Sequence, residues 1–352
     1  MSFNKVGFEE SLKKNVVDAG LCVGCGACVV ACPFNCLEYV DAKPKLAKEC
    51  KVCGICAQVC PQNEWSQPKA ETFVFGRRRK PDEVFGVYRK LAVARAKNNE
   101  VLKVCQDGGV VTALLLFALE NGIIDCAVVS GTNRDKPLCP IPKLATTSKE
   151  ILESAGTRYS YSPNILALTE AIKQKRAKIS FVGTPCQIRA IRKMQMAGLK
   201  KYTAPLKILV GLMCSECFIY EGLVHELIHQ KLGVNPNNVA KVNIKGKLFI
   251  TTKSDVKSIS LAEAKQYARE SCKSCEDFSS ELADISVGGL GLDGWSFVVI
   301  RTENGETLFE MAEKTGVLET QPVERNASAL NLLVKLSTKK RSSTSKGVIS
   351  NG

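Results

Sequence analysis

Residues 22–33 read Cys-Val-Gly-Cys-Gly-Ala-Cys-Val-Val-Ala-Cys-Pro, and residues 50–61 read Cys-Lys-Val-Cys-Gly-Ile-Cys-Ala-Gln-Val-Cys-Pro. Both stretches have the spacing C-x2-C-x2-C-x3-C-P, so the second is an internal repeat of the first. The chain of 352 residues has 17 cysteines but only 2 histidines. Any metal bound by these two stretches is therefore held mainly by thiolates.

This spacing is typical of the bacterial cysteine run that binds [4Fe–4S] clusters, in which the fourth cysteine ligates the neighbouring cluster. Three cysteines on a tight loop can hold three corners of a cubane, and small residues such as Gly24, Gly26 and Gly54 let backbone N–H groups approach its sulfides. A pair of zinc sites is the alternative, although zinc usually takes its cysteines as two close pairs. We predict one cluster on Cys22, Cys25, Cys28 and Cys60, and a second on Cys50, Cys53, Cys56 and Cys32.

Composition and hydropathy indicate a folded cytoplasmic protein. Hydrophobic residues make up 45% of the chain, which is enough for a packed core. No apolar run approaches the roughly 20 residues that span a bilayer, and the N-terminus has no apolar stretch typical of a secretory signal. Cytosolic thiols stay reduced, so the many cysteines favour metal binding over disulfides. Peripheral attachment to the inner face of the membrane, through the basic C-terminal tail, stays open.

The charge of the chain is unevenly distributed. The formal net charge is +14, yet residues 1–65 carry seven Lys or Arg and seven Asp or Glu. An anionic ligand or an acidic partner is therefore expected to bind elsewhere, whereas aromatic residues are too few, at 6%, to favour nucleic acid. We predict a two-cluster ferredoxin domain at residues 1–66, a basic surface linker at 67–85, a mixed α/β domain at 86–335 and a disordered basic tail at 336–352.

Strand-like and helix-like patterns alternate through the third of these segments, which indicates a mixed α/β fold. The predicted strands cover residues 91–96, 125–130, 178–183 and 206–213. The predicted helices cover residues 110–119, 162–175, 187–196 and 220–232. A hairpin is predicted to join residues 295–302 to residues 306–310 through Asn304-Gly305.

A second set of cysteines lies in this α/β segment. Cys186 follows a predicted strand, where α/β folds place ligands, and two C-x2-C pairs follow at Cys214-Ser-Glu-Cys217 and Cys272-Lys-Ser-Cys275. A zinc ribbon is one interpretation of the pairs, but the gap between them is longer than ribbons use. A thioredoxin-like redox pair is another.

One further motif, His225-Glu-Leu-Ile-His229, matches the zinc-protease pattern H-E-x-x-H on a predicted helix. No other histidine exists as a third ligand, although a carboxylate could serve. The segment is also an ordinary amphipathic helix with an apolar face at Leu223, Val224, Leu227 and Ile228. We favour the second interpretation.

Several motifs, in order, resemble the beta-subunit family of coenzyme F420 hydrogenases and dehydrogenases. They are Gly108-Gly-Val-Val-Thr-Ala-Leu-Leu, Gly156-Thr-Arg-Tyr, Gly183-Thr-Pro-Cys-Gln, Cys214-Ser-Glu-Cys-Phe, Cys272-Lys-Ser-Cys-Glu-Asp-Phe and Ala283-Asp-Ile-Ser-Val-Gly. The resemblance covers residues 86–310 and implies bound FAD and a third [4Fe–4S] cluster. The ligands it implies are Cys186, Cys214, Cys272 and Cys275, with Cys217 as a competitor of Cys214. Four cysteines match no motif and are expected to be structural: Cys36, Cys105, Cys126 and Cys139.

Glycines before an apolar helix let backbone N–H groups meet a phosphate at its positive end. The stretch Gln106-Asp-Gly-Gly begins such a helix, and a plain turn is the alternative. With the resemblance, we expect the flavin at Gln106, Asp107, Gly108, Gly109, Thr112, Gly156, Thr157, Arg158 and Tyr159. The candidates for binding the anionic tail of coenzyme F420 are Arg158, Arg189, Arg192 and Lys193. No catalytic acid or base is identified.

The resemblance implies an F420-linked oxidoreductase. We expect hydride to pass between coenzyme F420 and FAD, and single electrons to pass through three [4Fe–4S] clusters to or from partner subunits. A ferredoxin domain ahead of the catalytic domain resembles the input subunit of F420H2 dehydrogenases. The alternatives are an electron-transfer adaptor without hydride chemistry and a ferredoxin-dependent reductase of another substrate.

Overall fold

The computed structural model describes residues 5–345. The first part of the chain forms short elements around the two cysteine runs. Its helices are Glu9–Val17, Ala27–Ala31 and Ile55–Val59, and its strands are β1 (Leu37–Val40) and β2 (Lys43–Leu46). The two five-residue helices each begin after a glycine in the left-handed region, Gly26 at φ 80° and Gly54 at φ 73°. Glycine adopts this conformation without steric cost, which lets each loop turn sharply into its helix.

The second part is built on a mixed sheet of eight strands. In chain order they are β3 (Lys90–Ala96), β4 (Cys126–Thr132), β5 (Pro140–Ala145), β6 (Ile179–Gly183), β7 (Leu206–Leu212), β11 (Ile285–Gly288), β12 (Ser296–Ile300) and β13 (Leu318–Gln321). They lie side by side in the order β13-β3-β12-β11-β7-β6-β4-β5, and the four strands from β11 to β4 are parallel. The predicted α/β class, the strand at 178–183 and the helix at 110–119 are thus confirmed.

Helices cover both faces of this sheet. Those described from residue 99 onward are Asn99–Val104, Val110–Glu120, Ser148–Glu153, Leu168–Lys173, Pro185–Met196, Lys200–Thr203, Glu221–Lys231, Leu261–Ala264, Glu303–Lys314 and Ala327–Ser345. Neighbouring strand residues point to opposite faces, so Val182 packs towards the helix Val110–Glu120 while Phe181 packs towards Pro185–Met196. The core around Phe181 is continuous with that of the cysteine-rich domain, which packs on this face.

A smaller antiparallel sheet stands beside the large one. It contains β8 (Val239–Lys245), β9 (Lys247–Thr252) and β10 (Val256–Ser260) in the order β10-β9-β8. Its inner side chains, such as Leu248 and Ile250, pack against the helix Glu221–Lys231. None of the helices within residues 5–345 combines the length and the hydropathy that a bilayer crossing requires.

The surface linker predicted at residues 67–85 is a packed element instead. It contains the helix Gln67–Phe75, on which Ala70 is fully buried, and a loop anchored by ion pairs. Arg79 pairs with both Glu71 and Glu281, and all three side chains are largely buried. The basic run is therefore a set of interdomain ion pairs, which its composition alone did not indicate.

Two further predictions differ from the structure. The predicted hairpin at Asn304-Gly305 is the start of the helix Glu303–Lys314, because the side chain of Thr302 caps it by accepting a hydrogen bond from the N–H of Gly305. The disorder predicted from residue 336 is wrong as far as Ser345, since the helix Ala327–Ser345 continues through it and Leu333 and Ser337 are buried. Residues 346–352 of the predicted tail lie outside the described residues.

Candidate functional site

The two cysteine runs exchange their fourth cysteines in space. Cys22, Cys25, Cys28 and Cys60, here the proximal quartet, line one small cavity together with Leu12 and Val16. Cys32, Cys50, Cys53 and Cys56, here the distal quartet, line a second cavity together with Phe8 and Cys36. Cys32 and Cys60 end the helices Ala27–Ala31 and Ile55–Val59, which pack against each other and deliver each terminal cysteine to the other run.

Both quartets suit an iron–sulfur cluster by their donor chemistry. Their cavities are lined mainly by apolar residues, and burial raises the pKa of Cys56 to about 12 and that of Cys60 to about 11. Burial also raises the pKa of Cys25 and Cys28 well above the usual thiol value. Thiols in such places become thiolates when positively charged iron binds, so metal binding and proton release are coupled.

A third cysteine group gathers at the carboxyl ends of β6 and β7. It consists of Cys186, Cys214, Cys217, Cys272 and Cys275. The Sγ atoms of Cys214 and Cys217 lie 3.9 Å apart, and the N–H of Cys217 donates to Sγ of Cys272 over 3.4 Å. Cys186 interacts electrostatically with Cys275 and Cys214, which closes the group. The adjacent parallel strands explain how residues so far apart in sequence meet.

The thiols of Cys214 and Cys217 are not equivalent. The hydrogen bond between them lowers the pKa of Cys214 to about 7 and raises that of Cys217 well above its usual value. Lys340, on the C-terminal helix, donates to the carbonyl oxygen of Cys214 over 2.6 Å. The helix that the sequence predicted as disordered therefore holds the loop of the third cysteine group in place.

A cavity of 310 Å³ opens at the same ends of the parallel strands, here the strand-end cavity. Of the residues predicted to bind the flavin, eight line it: Gln106, Asp107, Gly109, Thr112, Gly156, Thr157, Arg158 and Tyr159. Strand β8 of the small sheet closes one side, where its Ile244 N–H donates to the hydroxyl of Tyr159 over 3.2 Å. Cys217 also lies in the wall, so the cavity and the third cysteine group share a boundary.

Gly108 is the exception among the predicted flavin residues. It does not line the cavity, because its backbone packs against β3 and β12. A Cβ at this position would lie 2.6 Å from both the carbonyl oxygen of Ala94 and the backbone nitrogen of Ser296. Gly108 is thus required for close backbone packing, while Gly109, at φ 70°, turns the chain into the helix Val110–Glu120.

The guanidinium of Arg158 is already used within the protein. It donates to the carbonyl oxygens of Ser154, over 2.8 Å, and of Ala155 and Gly156, over 3.1 Å each. It thereby satisfies carbonyls at the end of the helix Ser148–Glu153, where a cation is favourable. The prediction that Arg158 carries the charge for an anionic cofactor is therefore corrected to a capping role in the cavity wall.

The other cations predicted to bind coenzyme F420 lie away from the strand-end cavity. Arg192 is buried and pairs with Asp284 over 2.8 Å, and Lys193 donates to the carbonyl oxygen of Cys60 over 2.8 Å. Arg189 lies 4.7 Å from the ring of Trp65. These three residues join the cysteine-rich domain to the sheet.

The sequence analysis missed two lysines of β8. Lys245 lines the cavity, and Lys241 donates to the carbonyl oxygen of Gln106 over 2.8 Å. No motif marks them, because β8 reaches the cavity only through the packing of the small sheet. They supply positive charge at the cavity edge that the motif-based prediction had placed on the helix Pro185–Met196.

The strand-end cavity retains unused polar groups that fit a bound cofactor. Ser130 and Ser160 both line it, and their buried hydroxyl oxygens have no hydrogen-bond partner. Burial also raises the pKa of Asp107 above the usual carboxyl value. Unpartnered buried hydroxyls are costly, so a polar ligand that bonds them is a physically reasonable occupant.

The H-E-x-x-H pattern forms no metal site in the structure. His225 and His229 are exposed on the helix Glu221–Lys231, and His225 contacts Glu221 over 3.3 Å. Within residues 5–345, no group of three or more His, Cys, Asp or Glu is arranged to hold a single metal ion. The prediction of an ordinary amphipathic helix is confirmed, with Leu223, Val224, Leu227 and Ile228 buried.

Comparison with known families assigns most of the chain. Two segments match the family described as "Coenzyme F420 hydrogenase/dehydrogenase, beta subunit", residues 91–169 its N-terminal part and residues 176–326 its C-terminal part. Residues 15–38 match "4Fe-4S binding domain".

Individual relatives extend this result. The chain is 41% identical, over 75% of its length and 95% of the relative's, to coenzyme F420 hydrogenase subunit beta of Methanothermobacter thermautotrophicus. It is 31% identical, over 93% of its length and 91% of the relative's, to the F-type subunit of the F(420)H(2) dehydrogenase of Methanosarcina mazei.

A solved structure supports the same assignment. A chain from the F420-reducing [NiFe] hydrogenase complex of Methanosarcina barkeri superposes with a TM-score of 0.73 and 36% identity. The superposition covers 77% of this chain and 94% of that one. The protein therefore belongs to the coenzyme F420 hydrogenase/dehydrogenase beta-subunit family and carries a 4Fe-4S ferredoxin-like domain at its N-terminus.

Proposed function

We propose that this chain is an F420-linked oxidoreductase that passes hydride between coenzyme F420 and FAD and exchanges single electrons with a partner complex. FAD would occupy the strand-end cavity, against Gln106, Asp107, Gly109, Thr112 and residues 156–159. Three [4Fe–4S] clusters would occupy the third cysteine group, the proximal quartet and the distal quartet. Bound flavin would supply the step that converts a two-electron hydride carrier into one-electron carriers.

The single observation that carries the proposal is the position of Cys217. It lies in the wall of the strand-end cavity and hydrogen-bonds to Cys214 of the third cysteine group. A hydride-accepting cofactor in this cavity would therefore sit directly beside a cysteine-held cluster. The names of the relatives agree with this use, because they include subunits of an F420 hydrogenase and of an F(420)H(2) dehydrogenase.

The cysteine positions support an order of electron carriers. Cys186 of the third cysteine group interacts electrostatically with Cys25 of the proximal quartet. The proximal and distal quartets are joined by the paired helices that end in Cys32 and Cys60. The order supported is cavity, third cysteine group, proximal quartet and distal quartet, and a hydride's two electrons would pass along it singly with one proton released.

The chain's own groups define the binding site for the reactants. The hydroxyls of Ser130 and Ser160 are available to bond a polar cofactor, and Lys245 gives the cavity edge positive charge. Coenzyme F420 has an anionic tail, so we infer that the tail lies towards the β8 side. We expect a cytoplasmic protein that binds partner subunits rather than nucleic acid, with peripheral membrane association as part of this proposal.

The proposal is tested with anaerobically purified holoprotein, reduced coenzyme F420 and an artificial one-electron acceptor. We expect recovery of the deazaflavin absorbance, with two equivalents of acceptor reduced for each coenzyme oxidised. Bound flavin without this reaction would contradict F420 as the substrate and favour a reductase of another substrate. Intact clusters with no flavin released on denaturation would contradict hydride chemistry and favour an electron-transfer adaptor.

A further inference from the structure

Arg269 lies between the third cysteine group and the proximal quartet. Its backbone N–H donates to the carbonyl oxygen of Cys217 over 2.9 Å, and its carbonyl oxygen accepts from the N–H of Cys272 over 2.9 Å. The residue is therefore fixed to two members of the third cysteine group through its main chain. Its side chain is free to extend towards the other domain.

The guanidinium reaches into the first cysteine run. Its Nη1 donates to the carbonyl oxygen of Val23 over 2.8 Å, and Val23 follows Cys22. The adjacent Gly24, at φ 63°, leaves the space that the guanidinium needs, because a Cβ there would lie 2.6 Å from Nη2 of Arg269. The close approach thus depends on residues of both domains.

Two tyrosines hold the guanidinium in place. Its central carbon lies 4.1 Å from the ring centroid of Tyr161, whose hydroxyl is 3.9 Å from Sγ of Cys186. The hydroxyl of Tyr39 donates to the carbonyl oxygen of Gly24 over 2.7 Å and supports the same loop. Stacking and hydrogen bonding together leave the arginine little freedom to move.

The charge of Arg269 acts on both sides. It interacts electrostatically with Cys22 of the proximal quartet and with Cys186 of the third cysteine group. Arginine stays protonated in proteins, so this charge is permanent. Its side chain is partly buried, which limits the screening of the charge by solvent.

We propose that Arg269 is a positioning residue that raises the reduction potentials of the two clusters it separates, and that it holds them at a fixed separation. A fixed cation stabilises the added electron on either neighbouring cluster, and net charge and hydrogen bonding are known determinants of cluster potentials. No bond is made or broken, since each cluster gains or loses one electron. This inference rests on the proposed function only in requiring that both cysteine groups hold clusters.

The test compares Arg269→Met, Arg269→Gln and Arg269→Lys by EPR-monitored redox titration of anaerobic holoprotein. The Met and Gln variants remove the charge, and Gln keeps a donor for Val23. Lys keeps the charge but loses the planar stack on Tyr161. Arg189→Met is the matched control, because Arg189 also contacts an aromatic ring, Trp65, without being placed between two cysteine groups.

We expect both neutral variants to lower the midpoint potentials of the proximal and third-group clusters while the distal cluster stays unchanged. Arg269→Lys should lie closer to the wild type, and Arg189→Met should match it. Unchanged potentials in a neutral variant with full iron content would overturn the inference. Loss of iron from both neutral variants but not from Arg269→Lys supports a requirement for the charge, whereas loss from all three would overturn the electrostatic role.

The iron content keeps this test separate from the proposed function. If the wild type itself contains too little iron for a cluster in either group, the proposed function fails before the potentials are compared. If the wild type holds both clusters and the neutral variants titrate as it does, only the role of Arg269 fails.

Discussion

Sγ of Cys217 lies 3.9 Å from Sγ of Cys214, and Cys217 alone of the third cysteine group also forms part of the strand-end cavity wall. The group therefore has five cysteines where a cubane takes four. One of this pair is in excess, and the fifth thiol stands at the boundary between the cavity and the cluster site. The pair is thus the most informative place to separate ligation from wall formation.

We expect Cys214→Ser to remove a cluster and Cys217→Ser to retain it. Cys214 comes two residues after β7 ends, close to the end of β6 that precedes Cys186, whereas Cys217 faces the cavity. The iron content should fall from about 12 to about 8 atoms per chain in the first variant only. The reverse result would assign ligation to Cys217, and equal loss in both would contradict a four-cysteine site with one spare thiol.

The exchange of fourth cysteines predicts two selective losses in the ferredoxin domain. Cys32→Ser should remove the distal cluster and leave the proximal one, and Cys60→Ser should do the opposite, as resolved by EPR. The control is Cys36→Ser, because its thiol donates to the carbonyl oxygen of Glu49 over 3.1 Å and a hydroxyl can do the same. Iron loss in the control but not in Cys32→Ser would contradict the predicted ligand set.

Sequence patterns predicted the grouping of the ferredoxin cysteines because all eight ligands lie in two short, regular runs. The helix that begins after Gly109 was equally predictable, since glycine punctuation and a long apolar run mark it. Tertiary contacts decided the rest. Nothing local indicates that Arg79 pairs with Glu281, which is about two hundred positions away, or that Lys241 reaches Gln106.

Some errors came from local signals with two meanings. Asn304-Gly305 is a strong hairpin signal, yet the preceding Thr302 makes it the first turn of a capped helix. The residues after 336 have the composition of a disordered segment, but the helix Ala327–Ser345 buries Leu333 and Ser337. Arg158 has the charge for an anionic cofactor, but helix carbonyls satisfy it first.

The unpartnered hydroxyl of Ser160 predicts opposite effects on stability and on cofactor binding. Ser160→Ala should raise the free energy of unfolding of the flavin-free protein by about 1 kcal/mol, because a buried unsatisfied hydroxyl is removed. The same variant should release FAD more readily, as measured by flavin fluorescence on dilution. Ser337→Ala is the control, because its hydroxyl is also buried and unpartnered but lies outside the cavity. Weakened FAD binding in the control, or in neither variant, would contradict the assigned site.

The buried ion pairs of Arg79 predict a large loss of stability on truncation. Arg79→Met leaves Glu71 and Glu281 without this partner, and breaking such a pair costs about 3–5 kcal/mol. Arg77→Met should cost much less, because its side chain is 40% exposed compared with 19% for Arg79. Urea unfolding measures both variants, and equal losses would show that the 67–85 segment is not held by the buried pairs.

Burial of Asp107 predicts a pH-dependent gain from Asp107→Asn. Because burial raises its pKa, with partial opposition from Lys241 and Lys245, ionising this carboxyl costs stability at pH values above that pKa. The amide avoids this cost, so the flavin-free variant should be more stable than the wild type at pH 8. The difference should vanish below the ordinary carboxyl pKa of about 4. A difference that grows as the pH falls would contradict the assigned burial.

The central claim is that one chain holds a flavin beside the first of three clusters. Anaerobic purification followed by quantification of iron and released flavin tests it most directly. The account predicts about 12 iron atoms and one FAD per chain. About 8 iron atoms with the ferredoxin signals intact would remove the third cluster, and a chain without FAD would contradict hydride transfer in the strand-end cavity.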